Sequence, residues 1–123
     1  MSLRRLVLAF VVTVSLTACG SSPPPVAADA SQAHVDASKA KKLVAGGARL
    51  IDVRGADEYG AKHIDGAENA PVETIEDRDF GGKDTPIVLY CDSGARAARA
   101  ATTLRTRGYT HVYELGAMAN WNK

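Results

Sequence analysis

The large apolar residues in the second half of the chain fall into short continuous runs separated by polar or alanine-rich stretches. The clearest run is Pro-Ile-Val-Leu-Tyr at 86–90, where four large apolar residues follow one another. Such a run is typical of a strand buried on both faces, as in a parallel sheet. The alanine-rich stretch 97–107 has high helix propensity and ends before Gly108. We therefore expect a buried strand followed by a helix.

The same alternation extends toward both ends of this region. Asp36 is placed to cap a helix over 39–45, which Gly46 and Gly47 end. Further strands are predicted at 48–53, 67–72 and 111–115, and short helical segments at 57–59 and 73–80. Strands that alternate with helices are typical of α/β folds with parallel strands and right-handed crossovers. The pattern therefore predicts a single α/β domain over 34–123.

The first nineteen residues have a different pattern. Arg4 and Arg5 precede an uncharged run at 6–16, which is too short to cross a membrane as a helix and is typical of a signal peptide. Leu-Thr-Ala-Cys at 16–19 resembles the cleavage motif of bacterial lipoproteins. The resemblance implies a signal peptide at 1–18 and lipidation of Cys19; the alternative is an ordinary signal peptide cleaved nearby, with Cys19 incidental.

Residues 19–33 would then form a lipidated cysteine and a flexible tether, because 20–33 is small, polar and proline-rich. Acyl chains on Cys19 would anchor the protein to a membrane. We therefore expect a bacterial cell-envelope protein on the periplasmic side. In a Gram-negative host the outer membrane is favoured, because Gly20 rather than Asp follows the cysteine.

Composition and charge narrow the class of partner. The chain has 123 residues, of which 46% are hydrophobic and 24% charged, as in a globular protein. Its 15 basic and 14 acidic residues give a net charge of +1, and loss of Arg4 and Arg5 would leave 13 basic and 14 acidic residues, a net charge of −1. This balance argues against nucleic acid as a partner.

The most informative single residue is Cys91. If Cys19 is lipidated, Cys91 is the remaining thiol of the chain and has no cysteine to pair with. It follows the strand predicted at 86–90 and precedes a glycine-containing loop that leads into a helix. Amides at such a helix start favour an anion and therefore a thiolate. The alternative is that Cys91 is a buried apolar residue at a strand end.

Short blocks of sequence between about residues 35 and 121 carry a resemblance to single-domain rhodaneses. They are Leu-Ile-Asp-Val-Arg at 50–54, Glu-Tyr at 58–59, His-Ile-Asp-Gly-Ala-Glu-Asn-Ala-Pro at 63–71, Ile-Val-Leu-Tyr-Cys-Asp-Ser-Gly-Ala-Arg-Ala-Ala at 87–98, Gly-Tyr at 108–109 with Val112, and Leu-Gly-Ala-Met-Ala-Asn-Trp at 115–121. The resemblance implies a rhodanese-like α/β fold, with a central parallel sheet of about five strands flanked by helices.

The resemblance also implies an activity. A rhodanese moves sulfane sulfur from a donor such as thiosulfate, a small sulfur-containing anion, to an acceptor such as cyanide or a thiol. Cys91 would be the nucleophile that carries the sulfur as a persulfide, and no metal or organic cofactor would take part. The substrate cradle would be formed by the amides of Asp92, Ser93, Gly94, Ala95 and Arg96.

Four further residues are expected to support this site. By the resemblance, Asp52 and Arg54 hold the end of the first strand to neighbouring loops. Glu58 is expected to pair with Arg96 and orient the loop, the alternative being two independent surface charges. His63 is expected to be a hydrogen-bonded turn residue, because sulfur transfer from a preformed thiolate requires no base at Cys91.

Two other functions fit the same residues. One is a catalytically silent rhodanese-like binding module. The other is a dual-specificity phosphatase or arsenate reductase, since such enzymes share the fold and the Cys…Arg loop. Their loop places five residues between the two, whereas four separate Cys91 from Arg96 here. Asp92 would in addition repel a phosphate dianion, which favours the sulfurtransferase.

Overall fold

The structure is a computed structural model that describes residues 34–123. The predicted signal peptide at 1–18 and the predicted lipidated Cys19 with its tether at 19–33 lie outside the described residues. The elements are α1 (Ala37–Ala45), β1 (Arg49–Asp52), α2 (Ala56–Ala61), β2 (Glu68–Asn69), the 3₁₀ turn η1 (Ile75–Asp77), β3 (Ile87–Cys91), α3 (Ala95–Thr106), β4 (Val112–Ala117) and the 3₁₀ segment η2 (Met118–Asn122).

The strands of residues 34–123 form one parallel sheet in the order β2-β1-β3-β4. The predicted α/β class is therefore confirmed, but this sheet has four strands instead of about five. A single parallel bridge between His34 and Glu114 lies beside β4, where the Val35 amide donates to the Glu114 carbonyl at 3.0 Å. Asp36 starts helix α1 directly after this bridge, so the pairing does not lengthen into a strand.

Strand β3 is the centre of the core, and all five of its residues are buried. Its side chains alternate between two apolar clusters. Ile87, Leu89 and Cys91 pack with the cluster that contains the α3 alanines, whereas Val88 and Tyr90 pack with the cluster on the α1 side. Burial on both faces explains the continuous apolar run of its sequence. The predicted central strand is confirmed, one residue later than expected.

The helix boundaries follow local capping chemistry. The Asp36 carboxylate accepts from the Lys39 amide at 2.8 Å, and the Gly46 amide donates back to the Lys42 carbonyl at 3.0 Å, so the predicted cap and end of α1 are both confirmed. The buried face of α3 is made of small side chains plus Leu104. This composition lets the α3 backbone lie close to the sheet.

The weaker elements are shorter than the sequence indicated. Strand β2 spans two residues instead of 67–72, and the segment 73–80 contains a three-residue 3₁₀ turn instead of a longer helix. Pro71 has no amide hydrogen, which removes a donor from the ladder where β2 would continue. Past Pro71, the Val72 amide donates to the Val53 carbonyl at 3.0 Å, so the chain stays attached to the sheet without regular pairing.

A bulge in β4 sets the position of the residues beside Cys91. Leu89 pairs with Glu114 and Tyr90 with Gly116, so Leu115 is an extra residue on β4, and Cys91 lies opposite Ala117. Within residues 34–123, no helix is long and apolar enough to cross a membrane. The same residues contain no group of three or more His, Cys, Asp or Glu side chains arranged to hold a metal ion.

Candidate active site

Cys91 is the last residue of β3 and lies at the carboxyl end of the sheet. The chain then passes through Asp92, Ser93 and Gly94 and enters α3 at Ala95. Cys91 itself is buried, whereas Asp92 and Ser93 beside it are exposed. The thiol therefore lies at the base of a short exposed turn, at the edge of the sheet where α/β proteins bind ligands.

The turn at Gly94 brings a hydrogen-bond donor to the sulfur. Gly94 has φ +94° and ψ −18°, a left-handed conformation that strains residues with a Cβ. In this conformation its amide donates to Cys91 Sγ at 3.0 Å. A Cβ at Gly94 would lie 3.5 Å from the Cα of Gly116, so the bulged strand β4 forms the wall on the other side. Gly94 therefore lies between Cys91 and Gly116, while the turn before it stays exposed.

The first turn of α3 adds positive potential at the same place. Gly94 is its N-cap and has no side chain to accept from the first-turn amides. The amides of Ala95 and Arg96 therefore have neither an intrahelical acceptor nor a side-chain cap. Together with the helix dipole, uncapped amides favour a negative charge in front of the helix.

The five residues of the predicted cradle are thus contiguous around Cys91, and they make different contacts. Gly94 is the one whose amide donates to Sγ in the part of the chain that the structure describes. Ser93 and Ala95 are exposed on the turn, and the guanidinium of Arg96 is engaged with carboxylates. The participation of all five amides in binding the transferred sulfur stays a prediction.

Arg96 makes a two-pronged ion pair with Glu58 of α2. Its Nη1 lies 2.7 Å from Glu58 Oε2 and its Nη2 lies 2.9 Å from Oε1. The amide of Gly55 also donates to Oε2 at 3.1 Å. The Arg96 guanidinium, followed by this amide, lowers the pKa of Glu58 to about 2, and Glu58 in turn raises the pKa of Arg96. The pair joins the start of α3 to the start of α2.

A second ion pair, between Arg54 and Asp52, is more deeply buried than the first. Arg54 Nη2 is 2.7 Å from Asp52 Oδ2, its Nε is 3.0 Å from Oδ1, and its amide donates to Oδ1 at 2.9 Å. Both residues are almost fully buried, with exposed fractions of 4% and 0%. Hydrogen bonding to Asp52 raises the pKa of Arg54. Arg54 Nη2 also donates to the Lys62 carbonyl at 2.6 Å, which ties the end of α2 to the end of β1.

Asp92 connects the two arginines. Its Oδ1 lies 3.2 Å from Arg54 Nη1 and its Oδ2 lies 3.5 Å from Arg96 Nη2. The sequence predicts Asp92 in the cradle but does not identify it as a partner of Arg54. The contact joins residues 38 positions apart, and no local pattern in the sequence indicates it.

Asn69 is a supporting residue that sequence reasoning missed. Its side-chain amide donates to the Asp52 carbonyl at 3.1 Å and to the Arg54 carbonyl at 2.9 Å. It thereby holds the backbone of the segment that carries the buried pair. An asparagine at the end of a weak strand is typical of a turn, so no signal of this contact exists in the sequence.

His63 lies at the end of α2. Its Nδ1 is 2.8 Å from the carbonyl oxygen of Tyr59, and the two rings stack with centroids 3.9 Å apart. Because a carbonyl oxygen accepts, Nδ1 carries the hydrogen in this contact. Among the described residues, no contact joins His63 to Cys91. The predicted lipidation site Cys19 lies outside the described residues.

Comparisons with known proteins agree with this architecture. A family model described as Rhodanese-like domain matches residues 36–123. The uncharacterized protein YqhL of Bacillus subtilis is 42% identical over 76 residues, 60% of each chain. Thiosulfate sulfurtransferase PspE of Escherichia coli is 32% identical over 71 residues, 55% of this chain and 68% of PspE. The structure of the human single-domain sulfurtransferase TSTD1 superposes with a TM-score of 0.66 at 29% identity, covering 73% of this chain and 95% of that one. The match thus spans less than two thirds of YqhL.

Proposed function

This chain belongs to the rhodanese-like domain family and has sulfurtransferases among its relatives, and on that premise we propose that it transfers sulfane sulfur through a persulfide on Cys91. The observation that carries the proposal is the 3.0 Å hydrogen bond from the Gly94 amide to Cys91 Sγ at the start of α3. A cysteine attacks sulfur as the thiolate, and an amide that donates to Sγ is placed to stabilise the negative charge of that form during the reaction.

Two displacements make up the proposed reaction. In the first, Cys91 Sγ attacks the outer sulfur of a donor such as thiosulfate. The new S–S bond forms, the donor S–S bond breaks, and sulfite leaves with the electron pair. In the second, cyanide or a thiolate attacks the outer sulfur of the persulfide and leaves as thiocyanate or as a new persulfide. Cys91 returns to the thiolate, and no metal or organic cofactor takes part.

The residues around Cys91 have separate tasks in this scheme. The Gly94 amide donates to Sγ and stabilises its negative charge before attack, when that charge lies on Sγ. The uncapped amides at the start of α3, those of Ala95 and Arg96, are placed to donate hydrogen bonds to the outer sulfur, which carries the negative charge after attack. A fixed set of donors thus serves both charge distributions. Asp52 and Glu58, through their arginines, keep the turn in place.

Intact-mass measurement tests this function directly. We expect incubation of the reduced protein with millimolar thiosulfate, or with the persulfide of 2-mercaptoethanol, to add about 32 Da, the mass of one sulfur atom. Cyanide should remove the added mass with formation of thiocyanate, and Cys91→Ser should not acquire it. An unchanged mass with every donor would instead favour the silent binding module.

We also propose that the domain works on the periplasmic side of a bacterial envelope, held there by lipid on Cys19. The support is the sequence pattern at 1–19 alone. Growth of a bacterial host with an alkyne-bearing fatty acid should label the full chain and leave Cys19→Ala unlabelled. Label on both proteins, or on neither, would contradict the anchor without affecting the sulfurtransferase proposal.

A further inference from the structure

The ion pairs of the turn that follows Cys91 belong to a cluster with an excess of negative charge. Two guanidinium groups, those of Arg54 and Arg96, face three carboxylates, those of Asp52, Glu58 and Asp92. Both arginines are already held by a carboxylate on two of their nitrogens. The cluster therefore has a formal charge of −1 before Cys91 ionises, and neither guanidinium is free to receive a substrate anion.

Asp92 is the most exposed carboxylate of this cluster. It directly follows Cys91, and its side chain is 55% exposed, against 0% for Asp52 and 38% for Glu58. Its carboxylate is held by Arg54 Nη1 at 3.2 Å and by Arg96 Nη2 at 3.5 Å. Because Cys91 is itself buried, a donor has to reach Sγ past the exposed turn, and that turn carries the negative charge of Asp92.

Resting on the proposed function, we propose that Asp92 is a specificity-determining residue that discriminates against doubly negative sulfur donors. The donor that this site takes is the persulfide of a thiol with a net charge of −1 or 0, in preference to thiosulfate. The amides of Gly94 and of the first turn of α3 accommodate one negative charge, that of the thiolate or of the persulfide that replaces it. Thiosulfate adds two negative charges to that of the thiolate. Both arginines of the cluster are already paired, so no guanidinium is free to neutralise these charges, and Asp92 repels them.

The chemistry with such a donor balances without a further reactant. The Cys91 thiolate attacks the outer sulfur of R–S–SH, the new S–S bond forms, and the S–S bond that joined the outer sulfur to the R–S group breaks. The thiolate RS⁻ leaves with the electron pair and takes up the proton of the persulfide. The products are the Cys91 persulfide anion and RSH, with the same total charge as the reactants.

A series of persulfides that differ in charge at a distant group isolates the electrostatic effect. The persulfides of cysteamine, 2-mercaptoethanol and 2-mercaptoethanesulfonate share one two-carbon frame and differ by one charge at each step. Their net charges are about +1, 0 and −1 in the protonated form R–S–SH that is attacked, and about 0, −1 and −2 when the persulfide is ionised. We expect kcat/KM for sulfur loading of Cys91, followed by intact mass, to fall along this series in the wild type. In Asp92→Asn the ratio between the first and last donors should shrink about three- to tenfold. The kcat/KM for thiosulfate relative to the 2-mercaptoethanol persulfide should rise by a similar factor.

Salt dependence gives a second readout that a purely structural role of Asp92 would not change. Screening of like charges should raise the wild-type kcat/KM for thiosulfate as salt increases, and this rise should flatten in Asp92→Asn. The control is Asp77→Asn, which makes the same change in net charge. Asp77 is exposed in η1, and η1 is hydrogen-bonded to Arg107 at the far end of α3, a helix of 12 residues and about 18 Å.

The outcomes separate the two proposals. If the donors load Cys91 but their ratio is the same in the wild type and Asp92→Asn, the discrimination by Asp92 is overturned and the sulfurtransferase stands. Equal changes in Asp92→Asn and Asp77→Asn would also overturn it, because the effect would then be one of total charge. If no donor loads Cys91 in any variant, the sulfurtransferase proposal itself fails and the discrimination falls with it.

Discussion

The guanidinium of Arg96 donates from both terminal nitrogens to the two carboxylate oxygens of Glu58, at 2.7 and 2.9 Å, although the residues are 38 positions apart. Glu58 lies in the first turn of α2 and Arg96 in the first turn of α3. The pair therefore ties the residues that follow β1 to those that follow Cys91. The shape of the turn around the sulfur depends on this connection as well as on its own backbone.

Glu58→Gln should lower the melting temperature in a pH-dependent way. The pKa of Glu58 is lowered from 4.5 to about 2 in the folded protein, mainly by Arg96. The charged carboxylate therefore stabilises the fold at pH values above about 4.5, and this contribution is lost as the pH falls from there toward about 2. We expect the variant to melt about 2–4 °C lower at pH 7 and level with the wild type near pH 2.

Thermal unfolding of both proteins at pH 7, 5, 3 and 2 measures this difference. Glu76→Gln is the control, because Glu76 is exposed in η1 and makes no ion pair among the described residues. A difference between wild type and Glu58→Gln that stays constant across this pH range would show that Glu58 acts through packing instead of charge.

Arg54→Met should lower the free energy of unfolding far more than Arg49→Met. Loss of Arg54 leaves the carboxylate of Asp52, which is fully buried, without its cation, and the expected loss is about 3–5 kcal/mol of unfolding free energy. Arg49 makes an equally short pair with Glu68, but their side chains are 30% and 42% exposed. Its loss should cost about 1 kcal/mol or less. Urea unfolding of the two variants makes the comparison, and equal losses would contradict the role of burial.

The strands and helices that the sequence predicted well are those whose pattern reflects burial. The apolar run at 87–90 and the alanines of α3 are buried in the fold, and burial is what their sequence pattern predicts. The length of β2 depends instead on its pairing with β1, which ends before Pro71. The strand predicted from the sequence was therefore too long. The single bridge at His34 likewise depends on where Asp36 starts α1, so the sheet of residues 34–123 has four strands where about five were expected.

For the candidate site, the sequence located the turn but not the network beneath it. Cys91 and Gly94 follow one another at a strand-to-helix junction, which local pattern reveals. The contacts of Asp92 with Arg54 and of Asn69 with the Asp52 carbonyl join separate strand ends. Such contacts exist only once the parallel strands lie side by side, so they have no periodic or compositional signal.

Gly94→Ala should impair both stability and sulfur loading. Gly94 has φ +94°, where a Cβ costs about 1–2 kcal/mol, although the space around it holds only an ordinary contact at 3.5 Å to Gly116. Relief of this strain would turn the amide away from Cys91 Sγ, so we expect the rate of persulfide formation to fall about tenfold or more.

The matched control is Gly60→Ala in α2. A methyl group at Gly60 would meet no atom within 4 Å outside the backbone of its own helix, and Gly60 has no positive φ, so alanine should be tolerated or slightly stabilising there. Chemical denaturation and the loading rate are measured on both variants. Equal loading rates in Gly94→Ala and wild type would show that the Gly94 amide does not support the reaction.

The protein should not hydrolyse aryl phosphates at Cys91. A phosphate dianion needs converging amides and a guanidinium that is free to grip two of its oxygens. Here Arg96 is held by Glu58 on both terminal nitrogens and reaches Asp92 as well, and Asp92 adds a negative charge beside the sulfur. Incubation with p-nitrophenyl phosphate should give no turnover that depends on Cys91, even in Asp92→Asn, because Glu58 still occupies Arg96 in that variant. Hydrolysis by the wild type that disappears in Cys91→Ala would mean that Arg96 leaves Glu58 to bind phosphate, and the phosphatase would then replace the sulfurtransferase as the better account of this site.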